Sequence, residues 1–400
     1  MADFTYMGTK KALAKRVADV CDFGTNGPLL ELFSGLSAVG RATNASRPLW
    51  CNDVQKFSNL YCDVLFATQG GFSDVSENWD TFSHYYFDHF RALYQAFGTY
   101  AERERELWVT PNHGEIAEWE SETFPQLQST GKTLDRQTTY HLFTSTYALG
   151  YWGVAQAIQA DSIRWALDKM VTEKLAGESS YKLALLALCR SVSNASNSTG
   201  HFAQYLTPSA KNLERVWQKR RVCVFDAFRD AIEQIRPTGD EAWRATNRIF
   251  SGDAISLASE WPFATLTPEV VYADPPYTDD QYSRYYHVLE TVVLYDYPEV
   301  SGKGRYRPGR FVSDFSLASR VESAFEKMIK GVADLECSIV ISYPGNGLLP
   351  NSREVIPELL ATYFRKVLKP MSIAHQHSTM GASKGPHKHE VSEWVFVAQS

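Results

Sequence analysis

The fold is decided by one short stretch, Val270-Val271-Tyr272-Ala273-Asp274-Pro275-Pro276-Tyr277. Its first four residues are apolar and predict a buried strand, and the acid, the two prolines and the tyrosine predict a loop that leaves this strand. Open α/β sheets bind ligands beyond the carboxyl ends of their strands. We therefore expect a mostly parallel α/β sheet with a site at Asp274. The alternative is a proline-stiffened loop that has only a structural role.

The four residues Asp274–Tyr277 suit chemistry on an amino group of a nucleobase. Such a nitrogen is a weak nucleophile because its lone pair is delocalised into the ring. The Asp274 carboxylate and the Pro275 carbonyl can accept its two N–H groups and favour a localised lone pair. Pro275 and Pro276 fix the backbone that holds these acceptors. Tyr277 offers a flat face to an extruded base, and such stacking contributes ~1–3 kcal/mol.

The front of the chain predicts a βαβ unit. Pro28–Phe33 is a strand candidate that runs into the small-residue turn Ser34–Ser37, a helix begins near Ala38, and Leu49–Val54 is a second strand candidate. This order implies parallel strands. Asp53, near the end of the second strand, can accept hydrogen bonds from ribose hydroxyls. A plain structural turn and an ordinary acid at a strand end remain the alternatives.

The middle of the chain has a different pattern. Residues 76–245 read as a mostly helical insertion, with helices predicted at Gln156–Lys169 and Lys182–Arg190. Strand candidates return at Arg248–Ser251, Val270–Ala273, Ser338–Ser342, Met371–Ala374 and Trp394–Ala398. One sheet is therefore expected from residues 1–75 and 246–400, the predicted catalytic domain, with the insertion between its two parts.

Composition narrows the class of protein. The chain has 400 residues, of which 44% are hydrophobic and 22% charged, and this ordinary globular composition excludes long disorder and coiled coils. The six cysteines form no CxxC pair, so free thiols in a reducing compartment are expected. The sequence shows neither a signal peptide nor an apolar run of membrane-spanning length, which predicts a soluble, cytoplasmic protein.

Two basic segments are candidates for contacts with phosphates. The formal net charge of −6 argues against attraction over the whole surface, so nucleic-acid binding would need local patches. One patch is the Gly/Pro-bearing loop with Lys303, Arg305, Arg307 and Arg310, and the other includes Lys219 and Arg220 in the insertion. A solvated surface loop is the alternative for the first segment.

A metal site is not expected. His375, His377, His387 and His389 are close in sequence, but neither cysteine nor a repeated acid joins them at the spacing of a zinc site.

Four motifs in this order resemble Dam-like DNA adenine-N6 methyltransferases. They are Tyr6-Met7-Gly8-Thr9-Lys10, Glu31-Leu32-Phe33-Ser34-Gly35, Asn52-Asp53 and Asp274-Pro275-Pro276-Tyr277. Cofactor motifs that precede the catalytic motif, with a long insertion between them, are similar to the alpha arrangement of that family. The resemblance implies a Rossmann-like S-adenosylmethionine-dependent methyltransferase sheet. It also implies that the helical insertion recognises the target.

The resemblance also implies roles for individual residues. Tyr6 and Lys10 would contact S-adenosylmethionine, with Lys10 near its carboxylate, and Asp53 would hold the ribose. Asp274 would touch both the methionine amine and the target base. The cofactor pocket would be completed by Glu31, Phe33, Gly35 and Asp253, the last beside the adenine. The sequence departs from the family at Ser37, where the family has a second glycine.

The implied activity is methylation of adenine N6 in DNA, with the base flipped out of the duplex. Cytosine-N4 methylation, methylation of RNA or of a protein amide, and an inactive DNA-binding relative remain as alternatives. The expected partners are adenine-containing duplex DNA, a small-molecule methyl donor and a cognate restriction or defence enzyme. Regulation and phage-related modification are the other roles that the sequence leaves open.

Overall fold

The structure is a computed structural model that describes Phe4, Lys10 and residues 13–377 and 389–400, without the side chains of 374–377 and 389–392. It divides into two compact units. The sheet unit comprises Tyr6–Gln69, Pro237–Arg284 and Arg310–Ser400. The helical unit comprises Met1–Thr5, Gly70–Arg236 and Tyr285–Gly309.

The strands of the sheet unit form one sheet with the order β3-β2-β1-β4-β5-β8-β6, and β7 pairs with β8. From β3 to β5 all neighbours are parallel, whereas β8 runs antiparallel to β5, β6 and β7. The strands are β1 (Leu29–Glu31), β2 (Leu49–Asn52), β3 (Arg248–Phe250), β4 (Val270–Ala273), β5 (Ser338–Pro344), β6 (Lys366–Val367), β7 (Met371–His377) and β8 (His389–Gln399).

The sheet is built as the sequence predicts. The α/β class and the strand candidates are confirmed, whereas the short strand β6 was not predicted. The residues of β1, β2 and β4 are all buried, because a parallel sheet is covered on both faces. This is why these strands are continuous apolar runs rather than alternating ones.

The helices follow the predicted pattern, including those expected near Ala38 and within 156–169 and 182–190. They are α1 (Ala14–Val20), α2 (Ala38–Ala42), α3 (Lys56–Cys62), α4 (Asp74–Glu77), α5 (Trp79–Leu107), α6 (His113–Gly131), α7 (Leu142–Thr146), α8 (Val154–Thr172), α9 (Glu178–Ala195), α10 (Leu213–Arg220), α11 (Val224–Gln234), α12 (Glu241–Thr246), α13 (Ala254–Ser259), α14 (Tyr282–Tyr285), α15 (His287–Leu294), α16 (Val321–Ala333) and α17 (Ser352–Tyr363). A π-helical turn covers Asp63–Ala67 and a 3₁₀ turn covers Asp314–Ser316.

The core of the sheet unit lies where α16 and α17 cover the central strands. Apolar residues of α16 recur at helical spacing and pack against the sheet, among them Phe325, Met328, Ile329 and Val332. They meet Val271 of β4 and buried residues of β5. This packing holds β4 rigidly, and with it the start of the loop at Asp274.

The helical unit is organised around α8, which is buried on most sides. Its Asp161 carboxylate accepts hydrogen bonds from the backbone N–H groups of Phe143 and Thr144, at 2.9 and 2.8 Å, and from the hydroxyl of Tyr295. A buried carboxylate with several donors fixes the parts of the chain that donate to it. Asp161 thus ties α7 and Tyr295, which follows α15, to α8.

The boundaries of the two units differ from the predicted division at several points. The first long segment of the sheet unit ends at Gln69 rather than at residue 75, the unit resumes at Pro237 rather than at residue 246, and Tyr285–Gly309 belongs to the helical unit. The reason for the last of these differences is local, since Arg305 donates to the carbonyls of Thr146 and Ala148 in that unit. No helix in the part of the chain that the structure describes has the length and apolar character of a membrane span.

Candidate active site

Four acidic side chains lie at the carboxyl edge of the four neighbouring parallel strands. Glu31 ends β1, Asp53 follows β2, Asp253 comes three residues after β3, and Asp274 follows β4. Because parallel strands end at the same edge of a sheet, residues far apart in sequence meet there. The sheet order therefore brings the predicted cofactor and catalytic motifs together.

These residues line one cleft within the sheet unit, with an empty volume of about 1020 Å³ that includes its open mouth. The predicted site residues in its wall are Lys10, Glu31, Phe33, Gly35, Asp53, Asp253, Asp274, Pro275, Pro276 and Tyr277.

Asp53 fixes the turn that follows β1. One of its carboxylate oxygens accepts a hydrogen bond from the N–H of Gly35 and the other from the N–H of Gln55, both at 2.9 Å. Gly35 has φ of +49°, the left-handed region in which glycine is favoured. The carboxylate is buried but faces the cleft, so it both holds the turn and presents an acceptor to a ligand.

Ser37, the departure from the family pattern, occupies a position that favours glycine. Its φ is +49° and its ψ is +53°, in the left-handed region. Its hydroxyl donates to the buried carboxylate of Glu31, which also accepts the N–H of Gly40 at 2.9 Å. Burial raises the pKa of Glu31 to about 7, although Ser37 and Gly40 oppose this rise. Glu31 therefore anchors the turn from inside.

Asp274 belongs to a buried ionic cluster that the motifs only partly predicted. The ammonium group of Lys10 lies 3.2 Å from Asp274 and 2.5 Å from Glu393. Glu393 is held in turn by the hydroxyl of Ser342, which donates to it at 2.9 Å. The cluster thus has one cation and two carboxylates.

Burial and charge oppose each other at this cluster. The pKa of Asp274 is raised to about 7: burial is the largest cause and nearby Glu393 adds to it, while Lys10 opposes the rise. Burial alone would lower the pKa of Lys10, but Asp274 and Glu393 outweigh this effect and raise the pKa above its usual value. Lys10 is therefore charged throughout the ordinary pH range, whereas Asp274 titrates near neutrality.

The loop after β4 is held in place at Tyr277 and again at Gln281. The Tyr277 carbonyl accepts the N–H of Leu348 at 2.9 Å, and the Lys10 ammonium lies 5.8 Å from the centre of the tyrosine ring. Farther along, the Gln281 side chain accepts the N–H of Ser313 at 2.8 Å. Gln281 and Ser313 both line the cleft, and this bond keeps two segments of its wall together.

Asp253 has a structural as well as a potential binding role. Its side chain caps α13 by accepting the N–H of Ser256 at 3.0 Å. It shares a shallow groove with Asn52, whose amide donates to the carbonyl of Gly252 at 3.1 Å. Among the described residues the buried Oδ1 atom of Asn52 has no hydrogen-bond partner.

For two of the predicted DNA-binding residues the structure corrects the prediction. Arg305 is buried, its guanidinium lies 3.5 Å from the ring centre of Phe124, and it donates to backbone carbonyls. The side chain of Arg220 is buried too and pairs with Glu104 and Glu120, each at 3.2 Å. Both charges are compensated inside the helical unit, so neither is presented to a phosphate.

The other basic residues are more accessible. Lys303 is exposed, and Arg310 is half-buried next to Phe311, a residue of the cleft wall. Arg307 pairs with Asp296 at 2.6 Å. Lys219 is half-buried and donates to the carbonyl of Asn194 at 2.6 Å.

Some predictions lie outside the described residues. Tyr6 and His387 are among them, as are the side chains of His375, His377 and His389. Within the described residues, no group of three or more His, Cys, Asp or Glu side chains is placed to hold a metal ion.

Sequence reasoning missed Glu393 and Gln281. Glu393 directly precedes the apolar run of β8. A charged residue at such a position is uncommon, and it is a sign that the residue has a buried partner. Its proximity to Asp274 depends on the direction and order of the strands, which the sequence does not reveal. Gln281 lies in no recognisable motif, and only the fold brings it to Ser313.

The comparisons with known proteins agree with this geometry. The family model of the D12 class N6 adenine-specific DNA methyltransferases matches residues 6–331. The modification methylase LlaI of Lactococcus lactis subsp. lactis is 26% identical over 54% of this chain and 32% of its own length. The type II methyltransferase M.FokI of Planomicrobium okeanokoites is 29% identical over 62% of this chain and 35% of its own length.

A further relative, the modification methylase StsI of Streptococcus sanguinis, is 21% identical over 90% of this chain and 46% of its own length. The chain thus spans about a third to a half of the length of these curated relatives. Since the family model covers most of the 400 residues, the chain belongs to the D12 class N6 adenine-specific DNA methyltransferase family.

Proposed function

We propose that this chain transfers a methyl group from S-adenosylmethionine to the N6 amino group of adenine in DNA. One observation carries the proposal: Asp274, Pro275 and Tyr277 share a cleft with the acids at the ends of β1, β2 and β3. In a member of this family, that cleft joins a site for a charged, nucleoside-like donor to acceptors for an amino group.

The residues of the cleft fit S-adenosylmethionine by the chemistry of their donors and acceptors. The methionine part of this molecule carries a carboxylate and an ammonium group, which need a cation and an anion, and Lys10 and Asp274 supply them. The ribose hydroxyls need an acceptor, which Asp53 supplies. The adenine needs polar groups at its edge, and Asp253 in the cleft wall suits that part.

The cofactor, when bound, supplies a methyl group on a sulfonium and therefore a good leaving group. The protein's task is to present the amino nitrogen of adenine. The carboxylate of Asp274 and the carbonyl of Pro275 accept its N–H bonds, and Asp274 stabilises the positive charge that develops on the nitrogen. The ring of Tyr277, fixed through Leu348, stacks on the flipped base.

Recognition of DNA is assigned to the helical unit and to local basic groups. We propose that Lys303, Arg307, Arg310 and Lys219 contact phosphates. Arg305 and Arg220 are excluded from this proposal because their side chains are buried. The net charge of −6 supports local contacts rather than general attraction. Side chains of the helical unit would read the bases, because phosphate contacts carry little sequence information.

Two alternatives differ in the accepted base or polymer. Cytosine-N4 enzymes of this type usually have serine in place of Asp274, so the aspartate favours adenine. RNA has the same adenine, but the family description favours DNA. An inactive DNA-binding relative is disfavoured by the intact motif Asp274–Tyr277.

The test is to incubate the purified protein with S-adenosylmethionine and unmethylated duplex DNA and to analyse the nucleosides by mass spectrometry. We expect N6-methyladenine at defined sites, and far less of it in the same time with the Asp274→Ala variant. N4-methylcytosine, methylated RNA alone, or no product with any polymer would overturn the proposal.

Cofactor binding is tested separately with S-adenosylhomocysteine, which cannot react. Calorimetry should show binding to the wild-type chain and weaker binding to Asp53→Asn, which keeps the size of the side chain. No heat of binding at millimolar ligand would exclude this cofactor.

We also propose a restriction or defence enzyme that acts on the same DNA sequence as the biological partner. The names of the relatives LlaI and StsI, both modification methylases, support this role. The test is to delete the methyltransferase from the host and to measure whether the nuclease then cleaves the host DNA, as we expect. DNA that remains intact would contradict it.

A further inference from the structure

The ammonium group of Lys10 lies between two carboxylates that face different surroundings. Asp274, at 3.2 Å, lines the cleft, and its side chain is 17% exposed. Glu393, at 2.5 Å, is only 2% exposed and is not part of the cleft wall. One cation therefore has one anionic partner that a ligand can reach and one that a ligand cannot reach.

The position of Glu393 follows from the direction of β8. This strand is antiparallel to β5, and Glu393 pairs with Pro344 at the carboxyl end of β5. The start of β8 therefore lies at the same edge as the end of β4, where Asp274 is found. The Ser342 hydroxyl donates to Glu393 at 2.9 Å and fixes the carboxylate that meets Lys10.

The charges of the cluster do not balance. With both carboxylates ionised, the cluster has one negative charge in excess. Without Glu393, Lys10 and Asp274 would form a closed neutral pair, and Asp274 would be a weaker acceptor for a further cation or N–H donor. A second, inaccessible carboxylate thus leaves the excess charge on the accessible side.

We propose that Glu393 is a positioning residue that neutralises Lys10 and keeps the negative charge of Asp274 available to the cleft. This inference rests on the proposed function, because it gives Asp274 the charge with which to accept the amino group of the base. Glu393 acts through Lys10 and does not touch the substrate.

Other groups near the cluster contribute to its pH dependence. The ring of Tyr277 lies 5.8 Å from the Lys10 ammonium, and the hydroxyl of Tyr272 and the carboxylate of Glu31 are close enough to interact with Asp274. Both tyrosines have a pKa that is raised, by burial first, and so they remain neutral near pH 7. Lys10, Glu31 and Glu393 are the groups whose charges act on Asp274 near neutrality.

The first test is the Glu393→Gln variant, which keeps the shape and removes the charge. We expect the rate of a single turnover to fall about tenfold, less than the hundredfold or more that loss of a directly contacting group costs. We also expect the acid limb of the pH–rate profile to move to lower pH, because removing Glu393 lowers the pKa of Asp274. The KM for DNA should not change.

Two matched variants separate charge from hydrogen bonding. Ser342→Ala removes the hydrogen bond to Glu393 and keeps its charge, and Glu393→Asp keeps the charge on a shorter side chain. For both we expect an acid limb at the position of the wild type. An unshifted limb in Glu393→Gln, or the same shift in Ser342→Ala, would overturn the proposal.

A measurement independent of activity separates this inference from the proposed function. Because the folded pKa of Asp274 is above its unfolded value, the folded state binds more protons between about pH 4 and 7, and stability falls as pH rises through that window. Glu393→Gln should flatten this dependence of Tm on pH. If the wild type is inactive but Glu393→Gln flattens the dependence of Tm on pH, only the proposed methylation is refuted. If Glu393→Gln leaves this dependence unchanged, the role of Glu393 is refuted.

A double variant tests the idea if Glu393→Gln does not fold. Lys10→Met with Glu393→Met removes one charge of each sign, and apolar replacement of buried ions is often tolerated. Asp274 then loses its cation, so its pKa should rise, and the fall of Tm with increasing pH should extend to higher pH than in the wild type. A fall that ends at lower pH than in the wild type would contradict the proposed charge balance.

Discussion

Two buried ionic clusters of this protein contain the same kinds of charged group but lie in different surroundings. In the sheet unit, Lys10 lies between Asp274 and Glu393, and in the helical unit Arg220 lies between Glu104 and Glu120. Each consists of one cation with two carboxylates at distances between 2.5 and 3.2 Å. Composition and distance alone therefore do not distinguish a reactive cluster from a structural one.

The difference is access from a cleft. Asp274 and Lys10 line the cleft, whereas Arg220, Glu104 and Glu120 are each less than a tenth exposed. The Glu104 carboxylate accepts the N–H of Val154 at 2.6 Å, which attaches the start of α8 to the cluster. We infer that the Arg220 cluster holds helices together.

Shifted pKa values do not separate the clusters either. Burial raises the pKa of both Asp274 and Glu120 to about 7, although the neighbouring cation opposes the rise in each case. A perturbed pKa is thus a sign of burial first, and it indicates function only where a ligand can reach the group.

The largest expected effect is on the structural cluster. Arg220→Met should destabilise the protein by about 3–5 kcal/mol, because it leaves two buried carboxylates without their cation. Urea unfolding at pH 7.5 measures the loss. The loss should be smaller at pH 5, where protonation relieves the repulsion between Glu104 and Glu120.

Arg103→Met is the matched control for this experiment. Arg103 also pairs with two carboxylates, Glu106 and Glu115, but its side chain is 51% exposed. Its removal should cost less than about 1 kcal/mol, as for surface ion pairs in general. Equal losses for the two variants would mean that burial does not set the strength of these clusters.

The second prediction concerns the cleft, where the substitution should lower the reaction rate rather than the stability. Asp274→Ala should lower the rate of methyl transfer by about 10²–10³-fold, because it removes the acceptor that stabilises the developing charge. Stability should be retained, since Lys10 and Glu393 remain as a neutral pair. Single-turnover kinetics and thermal unfolding give the two numbers.

Glu120→Gln is the counterpart in the helical unit. It should change stability and leave the methyl-transfer rate of the folded protein unaltered. A variant at Asp274 that loses stability but keeps its rate would reverse the assignment of the two clusters.

How far the sequence predicts the molecule depends on the range of the interactions. The strands before Asp53 and Asp274 are continuous apolar runs, and the motifs beside them can be recognised locally, so the fold class and most of the cleft were predictable. The anchoring of Glu31 by Ser37 also involves neighbours in sequence, although its left-handed backbone had no signal of its own.

The failures come from contacts between distant segments. Arg305 stands in a basic run that is typical of an exposed loop, yet its guanidinium binds carbonyls about 160 residues away in the chain. Glu393 pairs with Lys10 across 383 positions. Charge patterns along a chain do not show which charges the fold will bury.

The third prediction concerns Glu31, a buried carboxylate that Ser37 and Gly40 hold by hydrogen bonds. Ser37→Ala should destabilise the protein by about 1.5–3 kcal/mol, because it removes a donor to a buried carboxylate and keeps the left-handed backbone. Ser37→Gly loses the same donor but relieves backbone strain of roughly 1–2 kcal/mol. It should therefore cost less than alanine in urea unfolding.

The order of these two variants decides the interpretation of Ser37. A glycine variant less stable than the alanine variant would mean that the left-handed conformation is not strained. Wild-type stability for both would mean that the Glu31 carboxylate does not depend on the serine hydroxyl, and that hydrogen bonds contribute less than a cation at buried carboxylates of this protein.

The smallest expected effect is the pH dependence of the cleft. Asp274 must be ionised to accept the N–H groups of the base, and its pKa is raised to about 7, by burial first. The rate of methyl transfer should therefore fall below about pH 7 and approach a tenfold loss for each further unit. Glu120→Gln should leave this limb in place, because the Arg220 cluster takes no part in the reaction.

The pH dependence of stability has the opposite sign to that of the rate. Measuring both therefore separates the titration of Asp274 from unfolding of the protein. Asp274 and Glu120 both have a folded pKa above the unfolded value, so each binds its proton more tightly in the folded state. Their contribution to the free energy of unfolding then rises as pH falls from about 7 towards 4. Activity should decrease in this window while these two groups favour folding. If the rate and the Tm fall together below pH 7, the acid limb of the pH–rate profile is due to unfolding. The pH dependence of the cleft would then no longer distinguish it from the buried Arg220 cluster.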